Sequence, residues 1–376
     1  MTTQDSPLEL SSILRPAADA SFSLIDDRPV LFSESNQTIY ELNPVAAFIW
    51  CSLLDHKTAG GICQDLVKFE LDLPTARQFV RQAFRNWFES GLLEAKWGSS
   101  DRHDLTANLG KLGVDIRTSS EGLKELLLPL FSDGDVKTEQ ASDKFEILEI
   151  GGQVHVKHNG NSAFRCAIDE LVPTIKALLT EQIVAQSFPN IALHAASLLK
   201  GGKALLVSGC PGAGKTTLAL HLVHKGFEYG GDDIVLIAPD GQVEGVPFPP
   251  ALKPGAWAMI SEFREDLSST PVHKRLDGQR VRYLDISPRA RGGNVPVGWI
   301  VFIKRIPQHP PNLTPLGQLE TMRRLIDGSY TAGEKLTRQG FNAIKQTLIH
   351  ARSFELTYSD AGQARDILFD LCNDQS

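Results

Sequence analysis

The chain has 376 residues, of which 42% are hydrophobic and 22% charged, and its formal net charge is −7. That length allows two or three domains, and that balance belongs to a globular chain with sizeable cores rather than a disordered or fibrous one. The negative charge argues against nucleic acid, or an anionic membrane surface, as the main partner. Five cysteines (Cys51, Cys63, Cys166, Cys210, Cys372) lie far apart and form no CxxC pair. They read as reduced thiols of a cytoplasmic protein, not as a disulfide frame or zinc site. The opening segment MTTQDSPLELSS lacks the basic and apolar regions of a signal peptide. No apolar run approaches the roughly 20 residues that span a bilayer. The expected location is therefore the cytoplasm, without membrane contact.

The first predicted elements are three strands, Phe22–Ile25, Pro29–Phe32 and Gln37–Leu42, rich in β-branched and aromatic residues and separated by polar breaks. Asn43-Pro44 then starts a helix, with Asn43 as cap and Pro44 in the first turn. Its apolar face is expected to hold Ala47, Trp50, Cys51 and Leu54. A second helix over 59–68 places Ile62, Leu66 and Phe69 at helical spacing. A third starts near Pro74 and Thr75, presents Phe79, Ala83, Trp87 and Phe88, and ends at Ser90-Gly91. These elements define a small domain at 15–97. Residues 98–113 are polar and read as a linker. Residues 114–190 mix short strands (Phe145–Ile150, Val154–Lys157) with helices near 121–131 and 168–181, as an α+β segment. From 191 to the end, strands, glycine-rich turns and helices alternate, as in α/β domains.

Within that last part, Gly209-Cys210-Pro211-Gly212-Ala213-Gly214-Lys215-Thr216 fits G-x-x-x-x-G-K-[ST]. It follows an apolar strand, Ala204–Ser208, and precedes a helix, Thr217–His224. Glycines let successive backbone N–H groups point at phosphate oxygens at the positive end of a helix. In this reading Gly209, Pro211, Gly212, Ala213, Gly214, Lys215, Thr216 and Thr217 bind the phosphates of ATP, with Lys215 as the point charge. Thr216 offers a hydroxyl to Mg²⁺.

A P-loop NTPase takes a further magnesium ligand from an Asp at the end of a buried strand. Here the best later strand, Trp299–Ile303, runs into Lys304-Arg305 instead. Two adjacent acids stand elsewhere, in Gly230-Gly231-Asp232-Asp233-Ile234-Val235-Leu236-Ile237, before a hairpin turn at Pro239-Asp240-Gly241. One carboxylate could hold Mg²⁺ while the other accepts a hydroxyl proton. A basic segment, His273-Lys274-Arg275 with Arg280 and Arg282, supplies cations for a phosphoryl group, with Lys274 and Arg275 as the candidates.

His194-Ala195-Ala196, Gly209–Thr217 and Gly231-Asp232-Asp233 follow one another in an order that resembles the HPr kinase/phosphorylase superfamily. The resemblance covers about 190–370. It implies an α/β P-loop kinase domain of the HPr kinase/phosphoenolpyruvate carboxykinase type at 191–376, acting on a serine hydroxyl. Carried over, the catalytic residues are Asp232, Asp233, His194 and Lys215, and the magnesium ligands Thr216 and Asp233. Which aspartate is the base stays open. A histidine at 194 would by itself more often be a satisfied core residue. The family's later Glu-x-Arg-Gly segment has no match here, which puts reverse phosphorolysis in doubt. The related kinases form hexamers, so a homo-oligomer stays open. The chain looks more like divergent relatives from peptide-modification gene clusters.

The segment Gln37–Trp50, with Ile62, Leu66 and Gly91-Leu92-Leu93, resembles the peptide chaperone of pyrroloquinoline quinone biosynthesis. That resemblance implies a small α+β, winged-helix-like domain whose sheet edge takes up a leader peptide as an added strand. The edge falls at Thr38, Ile39, Tyr40 and Leu42, and the helix face beside it at Arg77, Arg81 and Arg85. A solvated face is the plainer account of those arginines. A winged-helix DNA binder is disfavoured, because acidic side chains outnumber basic ones within 1–100. The two resemblances together imply an ATP- and Mg²⁺-dependent kinase acting on a serine or threonine of a ribosomal precursor peptide, as in lasso-peptide tailoring. A nucleotide-gated peptide adaptor and a kinase of a small-molecule hydroxyl remain the alternatives.

Overall fold

A computed structural model describes residues 13–97, 103–109, 112–131, 142–150, 152–286, 293–330 and 335–374. Contacts divide the chain into two compact units. The first comprises Met1–Thr106, Val114–Glu125 and Glu139–Leu171, and the second Ala107–Gly113, Leu126–Thr138 and Val172–Ser376.

In the first unit, Ala20–Ile25, Arg28–Ser33 and Thr38–Glu41 form an antiparallel sheet in that order. Asp26 and Asp27 both adopt positive φ (49° and 60°), the geometry of a tight two-residue hairpin turn. Three helices follow, Pro44–Leu54, Ala59–Lys68 and Leu73–Glu89. Each is capped by the side chain before it: Asn43 accepts from the Ala46 N–H at 2.8 Å, Thr58 from Gly61 at 3.1 Å and Asp72 from Thr75 at 2.8 Å. Trp50 and Trp87 meet edge to face at 5.1 Å in the core.

Two helix faces differ from expectation. The first helix buries Ile49, Trp50, Ser52 and Leu53, while Leu54 is 48% exposed. Its residues 45–50 are all apolar, so periodicity could not set its rotation. The third buries Ala76, Val80, Phe84, Trp87 and Phe88, leaving Phe79 37% exposed. Two apolar stripes compete there, and packing chose the one a residue further on.

The expected linker at 98–113 is not a linker throughout. His103–Leu109 is a strand that buries Leu105, Ala107 and Leu109, while residues 98–102, 110 and 111 lie outside the described residues. A five-stranded sheet runs in the order Phe164–Cys166, Gln153–His158, Asp143–Ile150, Leu112–Thr118, His103–Leu109. Leu148 and Ile150 share one core with Trp50 and Phe88. Val114–Glu125 and Glu139–Leu171 thus fall in the first unit.

The second unit is built on a six-stranded mixed sheet, in the order Glu228–Gly231, Ala196–Lys200, Lys203–Ser208, Val297–Arg305, Arg352–Tyr358, Asn312–Pro315. Its three central strands, from Lys203–Ser208 to Arg352–Tyr358, run parallel. Alternation sends Leu205 and Val207 to one face, with Leu218, Leu222 and Leu368 of helices Lys215–His224 and Ala361–Asn373. Ala204 and Leu206 face the other way, toward Leu325 and Ile344 of Gln318–Asp327 and Arg338–His350. The result is an α/β architecture with helices on both faces.

A second, antiparallel sheet has the order Val243–Gly245, Val235–Ile237, Ile191–Leu193, Ser329–Tyr330. Two short links carry the chain directly from one sheet to the other, at His194-Ala195 and again at Asp232-Asp233-Ile234. The run 230–237 is thus not one strand: Glu228–Gly231 and Val235–Ile237 belong to different sheets. Among the described residues, no helix is long and apolar enough to cross a membrane.

Candidate functional site

The site is assembled where the glycine-rich loop meets the two crossover corners. Residues 209–214 join strand Lys203–Ser208 to helix Lys215–His224. Gly214 has φ 98°, and a Cβ there would stand 2.6 Å from the Tyr358 hydroxyl. Only glycine suits that position. Tyr358, at the end of a central strand, donates to the Ala213 carbonyl at 2.7 Å and ties the loop to the sheet. Burial pushes the Tyr358 phenol up to about 12, so it stays a donor. Pro211 and Gly212 are exposed, and Ala213, Thr216 and Thr217 half-buried. Lys215 is buried and donates to the Gly209 carbonyl at 2.8 Å. Burial lowers its ammonium from the usual range, against the pull of Asp232 and Asp233.

Thr216 Oγ1 donates to Asp232 Oδ2 at 2.6 Å. Asp232 is only 1% exposed, and its other oxygen, Oδ1, has no hydrogen-bond partner. Burial, reinforced by the neighbouring Asp233 charge, pushes its carboxyl up to about 6. An orphaned buried carboxylate oxygen is costly unless something satisfies it. A hard divalent cation, which prefers oxygen ligands and keeps several from phosphate and water, suits this pair of a hydroxyl and a carboxylate.

Asp233 turns the opposite way. It adopts φ 77°, unusual for a residue with a Cβ, just after Gly231, whose φ of 152° brings it against the Val246 backbone. Its partly exposed carboxylate meets Lys176 Nζ at 2.5 Å, and Lys176 holds it down at about 2. His194 Nδ1 donates to the Asp233 carbonyl at 3.0 Å. Burial, then the Lys215 charge, lowers the His194 imidazole below its ordinary value and favours the neutral ring. Arg275 helps hold Asp233 ionised, while itself pairing with Asp277 at 3.3 Å. Lys274 is exposed on the neighbouring strand, His273–Lys274.

The structure therefore brings together Lys215, Thr216, Asp232, Asp233 and His194. It changes one expected grouping: Thr216 meets Asp232, not Asp233, because the positive-φ corner sends the second carboxylate to Lys176. Sequence reasoning missed Lys176 altogether. The available signal was a lone lysine among the apolar residues Leu171, Val172, Ile175 and Leu179 of helix Leu171–Ala185.

In the first unit, Thr38–Glu41 is an edge of its three-stranded sheet, and Ile39 is 59% exposed. Thr38 is exposed too, whereas Tyr40 packs against the core from the other face. Leu42 does not belong to the edge. It lies past the strand end, is 8% exposed, and gives its N–H to the Pro29 carbonyl at 2.8 Å. Arg77 is exposed and Arg81 half-buried, and both charges are felt at Cys63 of the second helix.

Residues 29–93 match the family described as "Coenzyme PQQ synthesis protein D (PqqD)", and so form a PqqD-like domain. No curated protein sequence matches the chain. Among solved structures, "TbiB1 in Complex with the TbiA(beta) Leader Peptide" is 25% identical and covers 22% of this chain and 99% of that one, with a TM-score of 0.21. "Structure of the Hpr(Ser) kinase/phosphatase from Coxiella burnetii" is 10% identical and covers 48% of this chain and 97% of that one, with a TM-score of 0.22. Both scores are too low for either likeness to bear on fold or activity.

Proposed function

We propose that this protein is an ATP-dependent kinase of the HPr-kinase P-loop type that phosphorylates a serine or threonine of a ribosomally made precursor peptide. The observation that carries this reading is the buried Thr216–Asp232 pair with its orphaned Oδ1, beside Lys215 at the end of a glycine-rich strand-to-helix loop. The PqqD-like domain at 29–93 supports a peptide as the partner.

The loop N–H groups from Gly209 to Thr216, except at Pro211, which has none, receive the triphosphate, and Lys215 leaves the Gly209 carbonyl to meet it. Mg²⁺, held by Thr216 and Asp232, would neutralise charge on the β- and γ-phosphates. Asp233 orients the acceptor hydroxyl and takes its proton. A low carboxyl pKa does not exclude it, since phosphoryl transfer has a loose transition state in which positioning outweighs basicity. Neutral His194 keeps the Asp233 backbone in place. The edge strand Thr38–Glu41 takes the leader as an added strand. A leader held there gives the core peptide an effective concentration on the order of mM, so the transfer site needs little affinity of its own.

The test is to incubate the protein with ATP, Mg²⁺ and candidate short precursors from neighbouring reading frames, and to weigh the peptides. A product heavier by one phosphate, lost when the leader is removed, is expected. Unmodified peptide with every candidate, alongside phosphorylation of a free hydroxyl compound, would replace the peptide by a small molecule.

A further inference from the structure

Helix Leu171–Ala185 carries two charged residues: Glu181 is exposed, and Lys176 is buried. The lysine's ammonium sits 5.4 Å from the Phe248 ring centroid and 5.7 Å from that of Tyr283. The rings flank it, and the Asp233 carboxylate receives its hydrogen bond. A buried ion pair is not in itself a stabilising device; an apolar residue of similar volume often serves a fold as well. A lysine at this place calls for another account.

Asp233 is gripped at two points. His194 holds its carbonyl at 3.0 Å, and Lys176 holds its carboxylate at 2.5 Å. Its backbone sits in a sparsely populated region that the surroundings must enforce. The ion pair uses Oδ2 and leaves Oδ1 to meet a hydroxyl. Without Lys176, two other cations whose charges interact with Asp233, Arg275 and Lys215, would compete for its carboxylate. A carboxylate that swung to Lys215 would leave the acceptor and burden the nucleotide site.

We propose that Lys176, supplied by a helix outside the phosphate-loop core, is the positioning residue of the transfer step, aiming the Asp233 carboxylate at the acceptor hydroxyl and keeping it off Lys215. This inference rests on the kinase reading. In the step it serves, the acceptor oxygen bonds to the γ-phosphorus as the bond to the β–γ bridging oxygen breaks. The hydroxyl proton passes to Asp233, and ADP leaves. Lys176 touches neither reactant.

The test compares wild type with Lys176→Met and Lys176→Arg, with kcat expressed per nucleotide-binding site titrated with ATP. Lys176→Met should lower kcat by about 100-fold, the scale of a misplaced reacting group, with KM for ATP within about 2-fold. Lys176→Arg should recover most of the loss. A merely structural lysine would reduce the number of binding sites and leave kcat per site unchanged. Should Lys176→Met not fold, Lys176→Gln replaces it with the same expected loss. A neutral variant that binds ATP and turns over within about 3-fold of wild type overturns the inference, while the kinase reading stands on wild-type transfer. Wild-type protein that binds ATP but transfers no phosphate to any acceptor removes both.

Discussion

The edge strand Thr38–Glu41 of the first unit and the Asp232-Asp233 corner of the second place polarity in opposite ways. At the edge, backbone hydrogen-bonding groups face outward, with an apolar side chain, Ile39, exposed among them. At the corner, charged groups are drawn inward, and Asp232 is almost fully buried. An exposed edge suits recognition, because an added strand satisfies the backbone and side-chain pockets select it. A desolvated cluster suits chemistry, because charge acts most strongly where water is excluded. The two kinds of site should therefore fail independently, and substitutions can ask whether they do.

The sharpest break is expected at the corner. Lys215→Met or Asp232→Asn should lower phosphoryl transfer by about 10³-fold or more, while leader affinity, read by fluorescence anisotropy, stays at the wild-type value. A parallel loss of leader binding would contradict the separation. Trp50→Ala makes the opposite cut. It removes a fully buried ring packed on Trp87, and should cost about 3–5 kcal/mol in calorimetric melting of the first unit. Nucleotide affinity should stay within about 2-fold of wild type.

Gly214→Ala tests whether loop geometry, rather than charge alone, makes the proposed nucleotide site. The new methyl would meet Tyr358 at a positive φ, costing about 1–3 kcal/mol of strain and weakening ATP binding about tenfold in titration. Ile39→Lys tests the edge more gently. It should weaken leader binding by about tenfold and leave kcat at saturating peptide unchanged, since one apolar anchor is lost and the backbone pairing kept.

The smallest effect concerns pH. Burial lowers His155, against the pull of Glu89, and also lowers His221, whose ring nitrogens lack hydrogen-bond partners. Both depressed values lie below the ordinary 6.5. At these two rings the unfolded chain then binds protons that the folded one does not, so their contribution to stability is complete above about 6.5 and is lost as pH drops through the folded-state values. A series of melting temperatures from about pH 8 to about pH 5 should show this decline. His221→Leu should flatten its own share in the second unit without touching that of His155.

Much of this molecule was legible because the deciding interactions are local. The caps Asn43, Thr58 and Asp72 each act within three residues. The glycine-rich loop carries its strand before it and its helix after it, so spacing alone located it. Lys176 was not legible, because its partner lies 57 residues away and nothing in its own neighbourhood calls for a cation. The helix rotations escaped for a related reason: where apolar residues cover more than one stripe, the stripe that faces inward depends on what packs there. The sharing of a core by Leu148 and Trp50 was hidden likewise, since strand alternation shows that a face is buried but not against what.

The sequence by itself determined the glycine-rich loop, the adjacent acids and the capped helices of the small domain, since each rests on backbone preferences spelled out within a few residues. Only the tertiary structure decided what the two acids do. Adjacent side chains in a regular strand point to opposite faces, but Asp232 and Asp233 stand at a crossover between two sheets, with glycines before them and a positive φ at the second. There the directions are set by partners brought from elsewhere, Thr216 for the first carboxylate and Lys176 for the second.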